Sequence, residues 1–105
     1  MLLADLRGQR TLAAIVFTDG VSFSARMAEA EEHTLNLIRR DFKLMTELCE
    51  QFEGQVIKTT GDGLLLYFTS GVQAVACAQE IQKALAEAAA QKFPQDILDH
   101  RIGIH

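Results

Sequence analysis

Val56-Ile57-Lys58-Thr59-Thr60-Gly61-Asp62-Gly63-Leu64-Leu65-Leu66-Tyr67-Phe68 reads as two apolar strands folded back on a tight turn at Gly61-Asp62. In that reading Gly61 supplies backbone angles that other residues avoid, and Asp62 stands at the rim of a sheet. A second apolar run, Leu12-Ala13-Ala14-Ile15-Val16-Phe17-Thr18-Asp19-Gly20, also ends in an acid followed by glycine. If the two strand ends are neighbours, Asp19 and Asp62 converge.

Outward from these runs, the strand of about Thr11 to Thr18 is apolar on both alternating faces, which predicts a central strand. Gly20 to Ser24 turns the chain. After the acids Glu29, Glu31 and Glu32, a helical stripe of Leu35, Ile38, Phe42, Met45, Cys49 and Phe52 follows, and Gly54 is expected to end it. Ser70 is placed to cap a second helix with the stripe Ala74, Cys77, Ala78, Ile81, Leu85 and Ala88, which Phe93-Pro94 stops. Gln95 to Asp99 reads as a loop and Arg101 to His105 as a fourth strand. The order β-α-β-β-α-β predicts an α+β, ferredoxin-like βαββαβ sandwich over residues 11–105, preceded by a polar leader over 1–10. In that topology the third strand inserts antiparallel between the first two, so the first strand's end lies beside the third strand's start, about 4.8 Å away.

Composition narrows the function classes. The chain has 105 residues, 49% of them hydrophobic, with one Pro, which suits one folded domain and argues against disorder. A net charge of -4 with no basic stripe removes the footprint of a nucleic-acid binder. Its apolar runs fall short of the roughly 18 residues that span a bilayer, and Asp5 comes too early for a secretory signal, so the chain reads as soluble and cytoplasmic. Cys49 and Cys77 lack metal-ligand spacing and read as reduced core thiols. His33, His100 and His105 show no ligand spacing either and read as surface or structural residues.

Two carboxylates at one rim repel unless a cation lies between them, and hard divalent ions take one or two protein carboxylates plus water and phosphate oxygens. Phosphoryl chemistry on a nucleotide is the natural hypothesis. The plain alternative leaves Asp19 as a strand-ending acid and Asp62 as a common turn residue. Lys58 bears on the choice: if Ile57 faces the helices, Lys58 projects from the opposite sheet face. Two helices cannot cover that second face, so a partner subunit or further chain is expected there.

At these residues the chain resembles the catalytic domain of the class III nucleotide cyclases, the adenylate and guanylate cyclases, over about Arg10 to His105. Phe17-Thr18-Asp19-Gly20-Val21-Ser22-Phe23-Ser24 is similar to the family's F-x-D-I-V-G-F-[TS], and Lys58-Thr59-Thr60-Gly61-Asp62-Gly63 to its K-T-x-G-D-[AG]. The resemblance implies that Asp19 and Asp62, with the Gly20 carbonyl, hold Mg2+ or Mn2+, and that Lys58 reads the purine and selects ATP. It implies conversion of ATP to 3′,5′-cyclic AMP and pyrophosphate by a two-metal mechanism in cyclic-nucleotide signalling, at a site shared within a homodimer or with a complementary cyclase half. Gly20 and Ser22 replace the family's Ile and Gly, and Ser22 is expected to resist a backbone that Gly would allow. The second base-specifying residue and the transition-state Asn and Arg fall beyond His105 in the family. A truncated cyclase domain with little activity of its own is therefore the expectation.

Three rivals stand beside it. A haloacid-dehalogenase-type phosphatase needs its nucleophilic Asp where Phe17 stands. A diguanylate cyclase or polymerase-palm domain shares the architecture, but its G-G-[DE]-E-F signature is missing. A non-catalytic ferredoxin-like module that dimerises through its open sheet face to regulate a partner is the alternative from another class.

Overall fold

The computed structural model describes residues 2–6 and 9–105. Along them run β1 (Leu2–Leu6), β2 (Gln9–Gly20), α1 (Phe23–Glu29), α2 (Glu31–Gln51), β3 (Gln55–Thr59), β4 (Leu64–Phe68), α3 (Gly71–Ala89), a 3-10 turn (Pro94–Asp96) and β5 (His100–Ile104). β2 is the hub. Antiparallel β4 lies on one side of it, Ala14 opposite Phe68 through Phe17 opposite Leu65, and β5 on the other, Val16 opposite Ile104 through Gly20 opposite His100. With β3 paired to β4, the order β3-β4-β2-β5 is the split βαβ arrangement expected of a ferredoxin-like sheet.

The structure departs from the sequence reading at the start of the chain. Residues 1–10, read as a leader, contain β1, which pairs with the first half of β2 from Leu2 opposite Ala13 to Leu6 opposite Gln9. A five-residue segment without alternation carries no strand signal of its own, and pairing with β2 supplies the missing constraint. The turn after Gly20 also holds an extra helix, α1, too short to show a periodic stripe.

Alternation along β2 and β4 sorts the sheet into two faces. Ala14, Val16, Leu64, Leu66 and Phe68 pack with Met45 and Cys49 of α2 and with Ala74, Cys77, Ala78 and Ile81 of α3. Ser70 caps α3 as expected, its hydroxyl accepting from the Gln73 N–H at 3.2 Å. Burial pushes the Cys49 thiol up to about 11 and the Cys77 thiol up to about 12, with a neighbouring charge adding to each, so both are inert core groups at neutral pH.

The expected role of Gly54 is corrected. Glu53, not Gly54, takes the left-handed conformation, with φ 61°, while the Gly54 N–H closes the helix on the Cys49 carbonyl at 2.8 Å. Gly54 is needed for space: a Cβ there would lie 2.4 Å from the ring of buried Phe68 and 2.7 Å from Cys49 Sγ. Its signature in sequence is the same as a capping glycine's, so only the packing separates the two roles.

Polar side chains tie the connection before β5 to the first two helices. Arg26 donates to the carbonyls of Ile97 and Gln95 at 2.8 and 2.9 Å, and Arg40 to that of Asp96 at 2.9 Å. His33 lies 3.0 Å from the Asp96 carboxylate. His100, read as a loop residue, begins β5 and buries its imidazole completely, with Nε2 2.8 Å from Asp41 Oδ2. Arg40 Nε donates to the other Asp41 oxygen at 2.9 Å. Burial raises the Asp41 pKa, but hydrogen bonds from His100 and Arg40, reinforced by their charges, outweigh it and hold the carboxyl below its ordinary 3.8.

Candidate functional site

Among the described residues no helix covers the opposite sheet face. Ile15, Phe17 and Asp19 of β2 alternate with the buried set, as do Leu65 and Tyr67 of β4, and Phe17 is 47% exposed. On β5 the same face carries Arg101, directly opposite Asp19, and Gly103, over which the Phe17 ring lies: a Cβ at Gly103 would come within 2.3 Å of that ring.

Lys58 reaches this face by a route other than the one expected. Ile57 does not face the helices: Val56 packs against the core, and a bulge between Val56 and Lys58 sets Ile57 and Lys58 together opposite Leu65. Ile57 is 53% exposed. The bulge shifts the alternation by one residue, so Lys58 arrives on the open face with a different neighbour behind it. Lys58, Leu65, Phe17 and Gly103 then form one row across four strands.

At the rim beside that row, the end of β2 meets the β3–β4 turn. The Leu64 N–H donates to Thr18 Oγ1 at 3.0 Å, and the Thr60 N–H closes the turn on the Gly63 carbonyl at 2.8 Å. Gly61 has no left-handed φ, so the reason first given for it fails. Gly63 is the glycine that close approach demands, because a Cβ there would sit 1.8 Å from the Thr18 carbonyl oxygen. This contact brings Asp62 against Gly20, whose N–H donates to Asp62 Oδ2 at 3.3 Å. Asp19, Gly20 and Asp62, singled out from two distant stretches, therefore occupy one corner of the sheet.

Arg101 completes the corner. Its Nε donates to Asp19 Oδ1 at 2.9 Å and its Nη2 to Asp19 Oδ2 at 3.1 Å, a two-pronged pair between side chains 70% and 45% exposed. An exposed pair of this kind contributes on the order of 0–1 kcal/mol. The sequence pattern puts Arg101 in a strand and points to no role for it. Its available signal was a lone cation opening an apolar strand, and its partner became identifiable only with the β2–β5 register.

Beyond Gly20, Ser22 precedes α1 with φ 56° and makes no side-chain cap. It has been drawn into the conformation that its Cβ resists.

The donor set suits a hard cation: two carboxylates and a strand-end carbonyl, with no thiolate or imidazole among them. Among the described residues no group of three or more His, Cys, Asp or Glu converges. Two carboxylates are nevertheless the complement that magnesium takes when water and phosphate oxygens supply the rest. An apolar groove lined by Val72, Val75, Ala76, Gln79 and Ile104 lies between α3 and β5 and contains none of these groups.

Comparison with known proteins identifies relatives. The family model described as the adenylate and guanylate cyclase catalytic domain matches residues 8–105. The "Putative adenylate cyclase 3" of Rhizobium meliloti (strain 1021) is 39% identical over 99 residues, 92% of this chain and 17% of that protein. Among solved structures, the adenylate/guanylate cyclase/hydrolase from Silicibacter pomeroyi superposes with a TM-score of 0.71 at 34% identity, over 91% of this chain and 56% of that one. A bacterial light-regulated adenylyl cyclase superposes with a TM-score of 0.78 over 88% of this chain and 51% of that one; at 24% identity that likeness shows the fold alone. The chain thus spans about half the length of these two structures and less of the curated relative.

Proposed function

Since the chain belongs to the adenylate and guanylate cyclase catalytic-domain family, we propose that it supplies the metal-binding and base-reading part of a site that converts ATP to 3′,5′-cyclic AMP and pyrophosphate. The observation that carries this reading is the bond from the Gly20 N–H to Asp62, which holds the turn acid at the strand end where Asp19 stands, with Lys58 on the adjoining uncovered face.

Asp19 and Asp62, with the Gly20 carbonyl, would hold Mg2+ or Mn2+. When bound, such ions lower the pKa of an attacking hydroxyl and neutralise charge gathering on phosphate oxygens. The chain's own part is positional. Gly63 and the Thr18 hydroxyl lock the two acidic segments together, so the backbone that carries the carboxylates needs no rearrangement to act on one ligand. Lys58 lies two strands from Asp19, on the order of 10 Å across the sheet, which separates a base-reading group from a phosphate-facing one. Its ammonium donates only, which suits the acceptor ring nitrogen of adenine and not the N–H that guanine presents at that edge.

The exposed Phe17 and Ile57 beside Leu65 and Tyr67 make the open face a surface for a second protein layer, and we assign that layer to a second copy of the chain or a complementary cyclase half. No helix among the described residues is long and apolar enough to cross a membrane. Use of ATP assigns the chain to the cytoplasm and to cyclic-nucleotide signalling.

Cyclic nucleotide formed from ATP and GTP by this chain mixed with a complementary cyclase half tests the reading. ATP should be the preferred substrate, and Lys58→Glu should move preference toward GTP by about tenfold or more, as expected when a hydrogen-bonding group is mismatched. Absence of product from either nucleotide, or an unmoved preference, contradicts it.

A further inference from the structure

Resting on the metal-site reading above, we infer that Arg101 is a positioning residue that latches Asp19 and holds the corner closed to a lone divalent ion. Both oxygens of Asp19 are engaged by the guanidinium fork, at 2.9 and 3.1 Å, and this two-pronged geometry occupies one in-plane lone pair on each oxygen, the two that a cation chelated by both oxygens would use. Asp62 is engaged differently, by one backbone N–H at 3.3 Å, at the long end for such a bond. The two carboxylates of the corner are therefore unequal: Asp62 is open to an arriving ion, and Asp19 must first change partner.

The latch is built into the fold. Asp19 and Arg101 stand directly opposite in the β2–β5 ladder, so their Cβ atoms are about 5 Å apart on one face whatever else occupies the site. On either side β5 is pinned, by His100 buried on Asp41 and by Gly103 under the Phe17 ring. Arg101 cannot withdraw by moving its backbone. Its side chain, 70% exposed, can swing away, so opening is a rotamer change.

Mn2+ titration of the 105-residue chain without nucleotide, read by the electron paramagnetic resonance of free Mn2+, tests this. Arg101→Met keeps the side chain's length and loses the fork, and should bind Mn2+ about fivefold more tightly than the unaltered chain, the value of one exposed pair. Arg101→Lys keeps the charge without the two-pronged grip and should fall between them. Unchanged affinity in Arg101→Met overturns the latch. So does an Arg101→Lys variant no tighter than the unaltered chain, because the effect would then be plain charge repulsion. Adding Asp62→Asn to Arg101→Met separates the two ideas: it should abolish the tight Mn2+, and if Mn2+ still binds, or binds to none of the variants, the metal site itself fails and the latch falls with it.

Discussion

The two faces of β2 divide the labour of the molecule between alternate residues. Ala14 and Val16, both fully buried, pack with the helices, and Thr18 is buried on the same side; Ile15, Phe17 and Asp19, each one position along, lie on a face that no helix among the described residues covers. Side-chain alternation has a period of two, so one strand can serve a core and a site without compromise between them. The buried face carries the core, and the open face carries the residues proposed for the site.

Damage to each face should therefore register in a different measurement. The largest stability loss is expected from Phe68→Ala, which empties a fully buried position and should lower the unfolding free energy by about 3–5 kcal/mol in urea denaturation. Phe17→Ala, the same change on the open face, should cost well under half of that; equal losses would show that Phe17 belongs to the core. Gly54→Ala comes next, at about 1–3 kcal/mol, because the Phe68 ring it meets is itself enclosed.

Acid should act on the helix side before it disturbs the sheet hydrogen bonds. Asp41 has a folded-state pKa below its ordinary 3.8, so the unfolded chain binds that proton more readily. Its contribution is complete above the unfolded value and fades as pH falls through the folded one. Asp41→Asn should flatten the acid limb of a stability-versus-pH curve measured from pH 6 to pH 2, and an unaltered limb would remove Asp41 from the account.

The smallest effect, and the one of opposite sign, belongs to the site loop. Ser22→Gly should stabilise the chain by up to about 1 kcal/mol, because glycine adopts the φ of 56° without steric penalty while losing more freedom on folding. A melting temperature that falls on this substitution would show that the Ser22 side chain does something the backbone geometry does not reveal.

What the sequence discloses and what it hides follow the same physical divide. Periodicity is local, so the stripes of α2 and α3, the Ser70 cap and the apolar runs of β2 and β4 are legible in order, and the split βαβ order they imply puts Asp19 and Asp62 at neighbouring strand ends. Long-range pairing is not local. Asp41 meets His100 across 59 residues and Asp19 meets Arg101 across 82, and neither partner changes the pattern around the other. The bulge at Ile57 is hidden for a related reason: one extra residue reverses which side chains face the helices, and only the opposing strand reveals the count. Glycine proved ambiguous as well. Gly54 and Gly63 are there for room, while the left-handed positions fall to Glu53 and Ser22.

The claim beneath all of this is that Asp19 and Asp62 serve a single ion. Mn2+ affinity of the chain carrying Asp19→Asn alone and Asp62→Asn alone tests it most directly: each substitution should remove the same ion, which Arg101 leaves more weakly bound in the unaltered chain. If either variant keeps that ion at unaltered affinity, the two carboxylates are neighbours without a shared ligand.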